Sequence, residues 1–202
     1  TFDGLTPETT YTISVVAKGD DTYYTDSNAA KAEATTAEAP AASGAVYTKV
    51  TSAPADWSGE YLIVYEGGGV AFNGNLTTLD AVSNTINVTI TDNTIASTSE
   101  IDQSSFTIDA KGYIKSASGY YIGQTSNANG LKSNKTTTYE NTLSINNDGT
   151  VNIVSGGAYL RYNSSSGQYR FRYYKSSTYT DQKAITLYKK SGSGWISTGE
   201  TF

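Results

Sequence analysis

The chain contains no cysteine, no histidine and no methionine, and only 3 prolines in 202 residues. Without cysteine there is no disulfide framework and no thiol nucleophile, and the redox compartment leaves no mark. Without histidine or cysteine the usual transition-metal sites are missing, and so are a Ser–His–Asp triad and a Cys–His dyad. Only carboxylate, lysine, tyrosine or hydroxyl chemistry remains open, and no cofactor or metal is expected. "DNT" and "NNDG" are too sparse for a calcium loop. No apolar run approaches the roughly 18 residues of a membrane helix, so no membrane span is expected. The absence of a starting methionine and of a signal peptide suggests a mature product or a piece of a longer chain.

What is present favours strands and tight turns. There are 17 Tyr and 19 Gly, with abundant Thr, Ser, Asn and Val. Net charge is −5, unevenly spread. Residues 1–110 carry 15 acids against 3 bases, and residues 111–202 carry 4 acids against 11 bases. Such polarity orients a molecule or attracts an anionic partner, although charge runs also simply solvate a face.

In the first segment Tyr11, Ile13, Val15 and Ala17 alternate with Thr12, Ser14 and Val16, a strand with one buried face. "GDDTYYTDS" is a polar turn and "AAKAEATT" closes a hairpin. The run Leu5, Pro7, Thr9, Tyr11 with Ile13 and Val15 resembles the end of a fibronectin type III domain. The resemblance implies that Tyr11 makes the corner contact of such sandwiches. It covers residues 1–38, only the last two strands of such a domain, so Ile13 and Val15 are expected to find cover on a neighbouring domain or chain. Residues 39–45 read as a linker. Residues 191–202 read as a second linker or tail, with Trp195 either opening a further module or folding back.

The body, residues 46–190, consists of short strands divided by Gly-bearing turns, with no convincing helical period. "FTIDAKGYIKSASGYYIGQ" aligns with "LSINNDGTVNIVSGGAYLR". Asp109 matches Asn146, Gly112 matches Gly149, Ser118–Gly119 matches Ser155–Gly156, and Tyr121–Ile122 matches Tyr159–Leu160. A weaker copy in "WSGEYLIVY" places Ser58–Gly59 and Tyr61–Leu62 at the corresponding positions. The glycines suit turns of positive φ, and the alternating apolar residues supply one buried face per strand. At roughly 1.5–3 kcal/mol per fully buried large side chain, one such unit alone does not offset its ordering entropy, whereas three closing on one another do.

Three copies, near 46–110, 111–147 and 148–190, resemble a β-trefoil of the fascin- and ricin-type branches, with residues 184–190 as a last strand closing against the first. A β-sandwich is the alternative. The fold class expected is therefore all-β, a β-trefoil preceded by a partial fibronectin III-like hairpin. The Q-x-W sugar motif of ricin-type lectins is absent, because Gln168 is followed by Tyr169 and Arg170; that family's site residues do not transfer. The pairing of the two modules resembles the tails of secreted bacterial polysaccharide-degrading enzymes and surface proteins, particularly in gut Bacteroidetes. It implies an extracellular, non-catalytic carbohydrate-binding accessory module tethered to a catalytic domain. A protein-interaction or adhesion module, or a spacer, is the alternative.

In "AYLRYNSSSGQYRFRYYK" rings interleave with bases. Alternation puts Tyr169, Phe171 and Tyr173 on one face and Arg170, Arg172 and Tyr174 on the other. Rings stack on the apolar faces of sugars, while arginine donates paired hydrogen bonds to carboxylate, sulfate or phosphate. Expected ligand contacts are Tyr120, Arg161, Arg170, Arg172 and Tyr174, with acidic glycans fitting best. Tyr120 is included because Tyr121 takes the repeated structural position. Gln124, Asn127 and Asn129 suit either hydroxyl binding or turn chemistry. The bland reading makes the aromatics core and the arginines a solubilising surface. The same mixture suits nucleic acid, but the net negative charge and lack of a nucleic-acid motif argue against it. Glycoside hydrolysis needs two carboxylates about 5–9.5 Å apart, and Asp109, Asp148 and Asp181 each sit in a turn.

Overall fold

Strands account for nearly all of the regular structure in this computed structural model, which describes residues 6, 9–20, 22–23, 25–36, 44–175 and 180–191. The chain divides into two units, Thr1–Ala41 and Ala42–Phe202. Leu5 and Pro7, most of the linker 39–45, and Trp195 lie outside the described residues.

The smaller unit is an antiparallel pair, β1 (Thr10–Val15) and β2 (Ala30–Thr35), with Thr10 opposite Thr35 and Val15 opposite Ala30. Asp20 and Asp26 hold the connecting turn through the backbone N–H groups of Tyr23 and Gly19. Within this unit Ile13 is half-buried and Val15 is 64% exposed.

The larger unit contains β3 (Val46–Lys49), β4 (Gly59–Tyr65), β5 (Val70–Phe72), β6 (Thr85–Asn87), β7 (Thr94–Ala96), a short helix α1 (Ser99–Gln103), β8 (Phe106–Ile108), β9 (Ile114–Ser116), β10 (Tyr121–Gly123) and β11 (Lys132–Asn134). It continues with β12 (Thr142–Ile145), β13 (Val151–Ser155), β14 (Ala158–Asn163), β15 (Arg170–Tyr174), β16 (Gln182–Lys183) and β17 (Thr186–Lys190). All-β is therefore the fold class. The strands form a ten-stranded and a five-stranded sheet, linked by the bridges Gly130–Tyr173 and Val151–Ile185.

Two successive four-strand meanders, β8–β9–β10–β11 and β12–β13–β14–β15, follow the same order. Their first turns match in detail. Gly112 N–H donates to the Asp109 carbonyl at 3.0 Å and Gly149 N–H to the Asn146 carbonyl at 2.9 Å, with φ of +78° and +80°. The earlier stretch is less regular: β4 pairs with β5 as its counterparts do, but also takes β8 and β17. Tyr61 does not share the facing of Tyr121 and Tyr159. It lies wholly in the core, whereas the other two are half-buried on outer faces; a one-residue change of facing sends a strand side chain to the opposite surface. β17 closes the unit between β3 and β4, with Lys190 opposite Tyr47 and Leu187 opposite Ile63.

The helix α1 was not foreseen. Thr98 caps it by accepting from Ile101 N–H at 3.3 Å, and Ile101 is buried beneath it. Five residues are too few for a helical period to register in sequence.

Two apolar clusters fill the unit. The larger joins Phe72, Phe106, Ile122, Leu160, Phe171 and Leu187 with a dozen other buried residues; the smaller contains Tyr47, Leu62, Val64, Ala71, Ile95, Ile101 and Tyr188. Phe72 stacks on Phe171 at 5.3 Å and meets Phe106 at 4.8 Å, tying the irregular stretch to both meanders.

Gly112 has a positive φ, and a Cβ there would lie 2.1 Å from the Asn141 carbonyl oxygen. Gly112→Ala is expected to destabilise the protein by at least about 2 kcal/mol in urea unfolding. Gly119→Ala, also at positive φ but facing open space, is expected to cost only about 1 kcal/mol. Equal costs would contradict the close packing of the Gly112 turn.

Candidate functional site

The face of the β14–β15 hairpin turned away from the core carries the densest set of charged and aromatic groups. Alternation sends Leu160, Tyr162, Phe171 and Tyr173 into the core. The intervening residues build the outer face in three rows. Tyr174 lies opposite Tyr159, which lies opposite Val154 of β13. Arg172 lies opposite Arg161, whose Nη2 donates to Asn152 Oδ1 at 2.6 Å. Arg170 lies opposite Asn163, which lies opposite Gln182 of β16. None of these nine residues is acidic.

Arg161 is at the centre and only 7% exposed. Its Nη1 donates to the Leu160 carbonyl at 3.0 Å, and its guanidinium carbon lies 5.0 Å from the Tyr159 ring centroid. Burial pulls the guanidinium below its ordinary pKa, and among the described residues no carboxylate forms a salt bridge with it. Arg172, by contrast, is neutralised by Asp80 of the loop between β5 and β6. Its Nε lies 2.9 Å from Oδ1, and Nη2 donates to Oδ2 at 3.0 Å. Arg170 is half-buried and donates through Nη2 to Gln168, while its Nε is buried without a partner. Tyr174 is 4% exposed, with a hydroxyl that likewise has none. It is therefore a wall of the site rather than the open stacking surface expected of it. The Gln182 Oε1 acceptor is also buried and unpaired.

Tyr120 is not part of this face. It precedes β10, packs against the larger core cluster and has Lys135 Nζ 5.0 Å over its ring. The outward ring at that turn is Tyr121, beneath Lys115 at 5.3 Å and edge-on to Tyr113. Both tyrosines are half-buried, and Ile122 rather than Tyr121 takes the core-facing position of the strand. Gln124 is 7% exposed and its Oε1 accepts from Thr125 N–H; Asn129 Oδ1 accepts from Lys175 N–H at 3.0 Å. Gln124 serves its own loop, and Asn129 ties that loop to the end of β15. Asn152, Asn163 and Gln182 are members of the face that sequence reasoning missed. The repeat alignment could have found Asn152, one residue after Val151. Asp80, 92 positions before its arginine, left no signal.

A second cluster brings two carboxylates together. The Tyr47 hydroxyl meets Glu60 Oε1 at 2.8 Å and Asp102 Oδ1 at 3.0 Å, and Lys190 Nζ meets the same pair at 3.1 and 3.0 Å. Burial alone would raise the Asp102 carboxyl, but the Ser97 hydroxyl, Lys190 and Tyr47 outweigh it and hold the group below its ordinary pKa. Burial would lower Lys190, yet its bonds to Asp102 and Glu60 raise it. A carboxylate so neutralised is a poor proton donor, so the cluster reads as a clamp between β17, β4 and α1. Asp109 and Asp148 accept from backbone N–H groups of their own turns at 2.9 Å.

The depressed Asp102 pKa means that its stabilising contribution is present at neutral pH and is lost as pH falls below about 4 through the folded value. Asp102→Asn is expected to cost about 2 kcal/mol at pH 7 in denaturant unfolding, with the gap from the parent protein narrowing as pH falls from about 4 towards 2. A gap independent of pH would remove Asp102 from this role. No family model, no curated protein and no solved structure matches the chain.

Proposed function

We propose that the chain is a non-catalytic carbohydrate-binding module of a secreted or surface protein, acting on a polysaccharide beside a tethered catalytic domain. Holding an enzyme near its polymer raises effective concentration without chemistry of its own. The observation that carries this reading is the outer face of β14 and β15, where arginine, amide and tyrosine groups gather with no acid in the sheet rows themselves.

The same reading takes the larger unit as a β-trefoil and the smaller as the end of a fibronectin III domain. Supporting the first are the two matching meanders, the third and looser run around β4 and β5, and the closure of β17 on β3. Supporting the second is the Tyr11 hydroxyl, which accepts from Thr6 N–H at 2.9 Å, the backward bond of a tyrosine corner. A protein-interaction role is favoured by one feature, the exposure of Val15, Val16 and Tyr23 on the smaller unit at 64, 42 and 84%.

Affinity electrophoresis of the purified chain in gels containing neutral and acidic polysaccharides is expected to show retardation on at least one polymer. Arg170→Ala should weaken it at least about tenfold, the worth of one charge-assisted contact, while Lys18→Ala on the smaller unit leaves it unchanged. Retardation by no polymer would sink the glycan reading and leave the protein-interaction role.

A further inference from the structure

We propose that the outer face of β14 and β15 seats an oxyanion of an acidic sugar, a sulfate ester or a uronate carboxylate, between Arg161 and Arg170. The inference rests on the glycan reading and specifies the chemical class of the ligand.

A buried cation needs a counter-charge, since taking an ion out of water costs several kcal/mol that only pairing returns. Arg161 is 93% removed from solvent, yet its two hydrogen-bonded partners, the Leu160 carbonyl and the Asn152 amide oxygen, are neutral. Arg172 directly opposite adds a second positive charge, and like charges facing across strands repel. Asp80 relieves Arg172 by engaging it through both carboxylate oxygens, and among the described residues no acid does the same for Arg161 or Arg170.

The unmet hydrogen-bonding groups define the missing partner. Arg170 Nε is a buried donor without an acceptor, on the same face as Arg161. An oxyanion only accepts, so it matches donors and charge together. Gln182 Oε1, in the same row as Arg170, is a buried acceptor without a donor. A ligand supplying one anionic group and one neighbouring hydroxyl meets both needs, and an acidic sugar carries that pair. A nucleic-acid phosphate would satisfy the donors but places no hydroxyl beside itself in DNA.

The test measures binding of the whole chain to heparin, desulfated heparin, polygalacturonate, a neutral glucan and single-stranded oligothymidylate, for the parent protein, Arg161→Gln and Arg170→Gln. Thermal unfolding in sodium sulfate against sodium chloride at matched ionic strength runs alongside. Expected are binding to heparin or polygalacturonate but not to the glucan, at least a tenfold loss in both variants, and a sulfate-specific rise in Tm that both variants lack. Loss of affinity on desulfation assigns a sulfate ester; retained affinity, with polygalacturonate bound, assigns a carboxylate. Should Arg161→Gln fail to fold, the half-buried Arg170→Gln gives the decision alone. Neutral glucan bound equally by the parent and Arg170→Gln would overturn the anion seat while leaving the glycan reading intact. Absence of polysaccharide binding with a sulfate-specific Tm rise lost in Arg170→Gln would overturn the glycan reading and keep the seat. Oligothymidylate bound in preference to every polysaccharide would overturn the acidic-sugar assignment.

Discussion

The larger unit depends on one strand with neighbours at the far end of the chain. β17 lies between β3 and β4, and its alternate side chains serve different cores: Leu187 enters the larger apolar cluster and Tyr188 the smaller. Around it the polar groups are placed so that the strand cannot slip. The Tyr188 hydroxyl donates to Glu66 at 2.7 Å, Lys189 Nζ to the Ser58 carbonyl at 2.9 Å, and Lys190 reaches both Glu60 and Asp102. A shift of one residue would exchange the two cores and break all of these contacts together. Register is thus fixed by packing and charge at once.

On that frame the β14–β15 hairpin is asymmetric. Its inner face is ordinary core, with Phe171 and Tyr173 fully buried. The Tyr173 hydroxyl donates to Asn141 at 2.6 Å, and Asn84 Oδ1 accepts from Phe171 N–H at 2.8 Å, so even the polar atoms on that side are matched. The outer face is the reverse: cations outnumber acids, and several polar atoms are buried and unpaired. Native proteins rarely leave such groups unmet without a purpose. The contrast between two sides of one hairpin singles out this surface from the Lys115–Tyr121 face, where the groups remain in reach of water.

The sequence made the all-β class legible because apolar alternation and Gly-bearing turns recur at even spacing. The turns at Asp109 and Asn146 were legible for the same reason, since short side chains that bond their own backbone appear at fixed offsets from a glycine. Facing was less legible. Tyr61, Tyr121 and Tyr159 align as letters, yet only strand pairing decides which side each takes. Tyr120 and Tyr121 look alike as letters, and only the burial of Ile122 shows which side of the strand meets the core. In the site, alternation placed Arg170, Arg172 and Tyr174 on one face but carried no information on depth, so the burial of Arg161 and Tyr174 emerged only from packing. The Asp80 loop reaches Arg172 across 92 positions, a separation no local pattern encodes.

The placement of β17 also sets a timetable for synthesis. While residues 46–185 emerge from the ribosome, β3 and β4 have to wait with unfilled edges, because the strand that joins them is made last of the three. Exposed edges of this kind invite pairing with other chains. Glu60 on β4 lacks its lysine partner Lys190 until β17 arrives, which leaves a carboxylate on that waiting edge, so two unfinished copies repel each other at the place where they would otherwise stick.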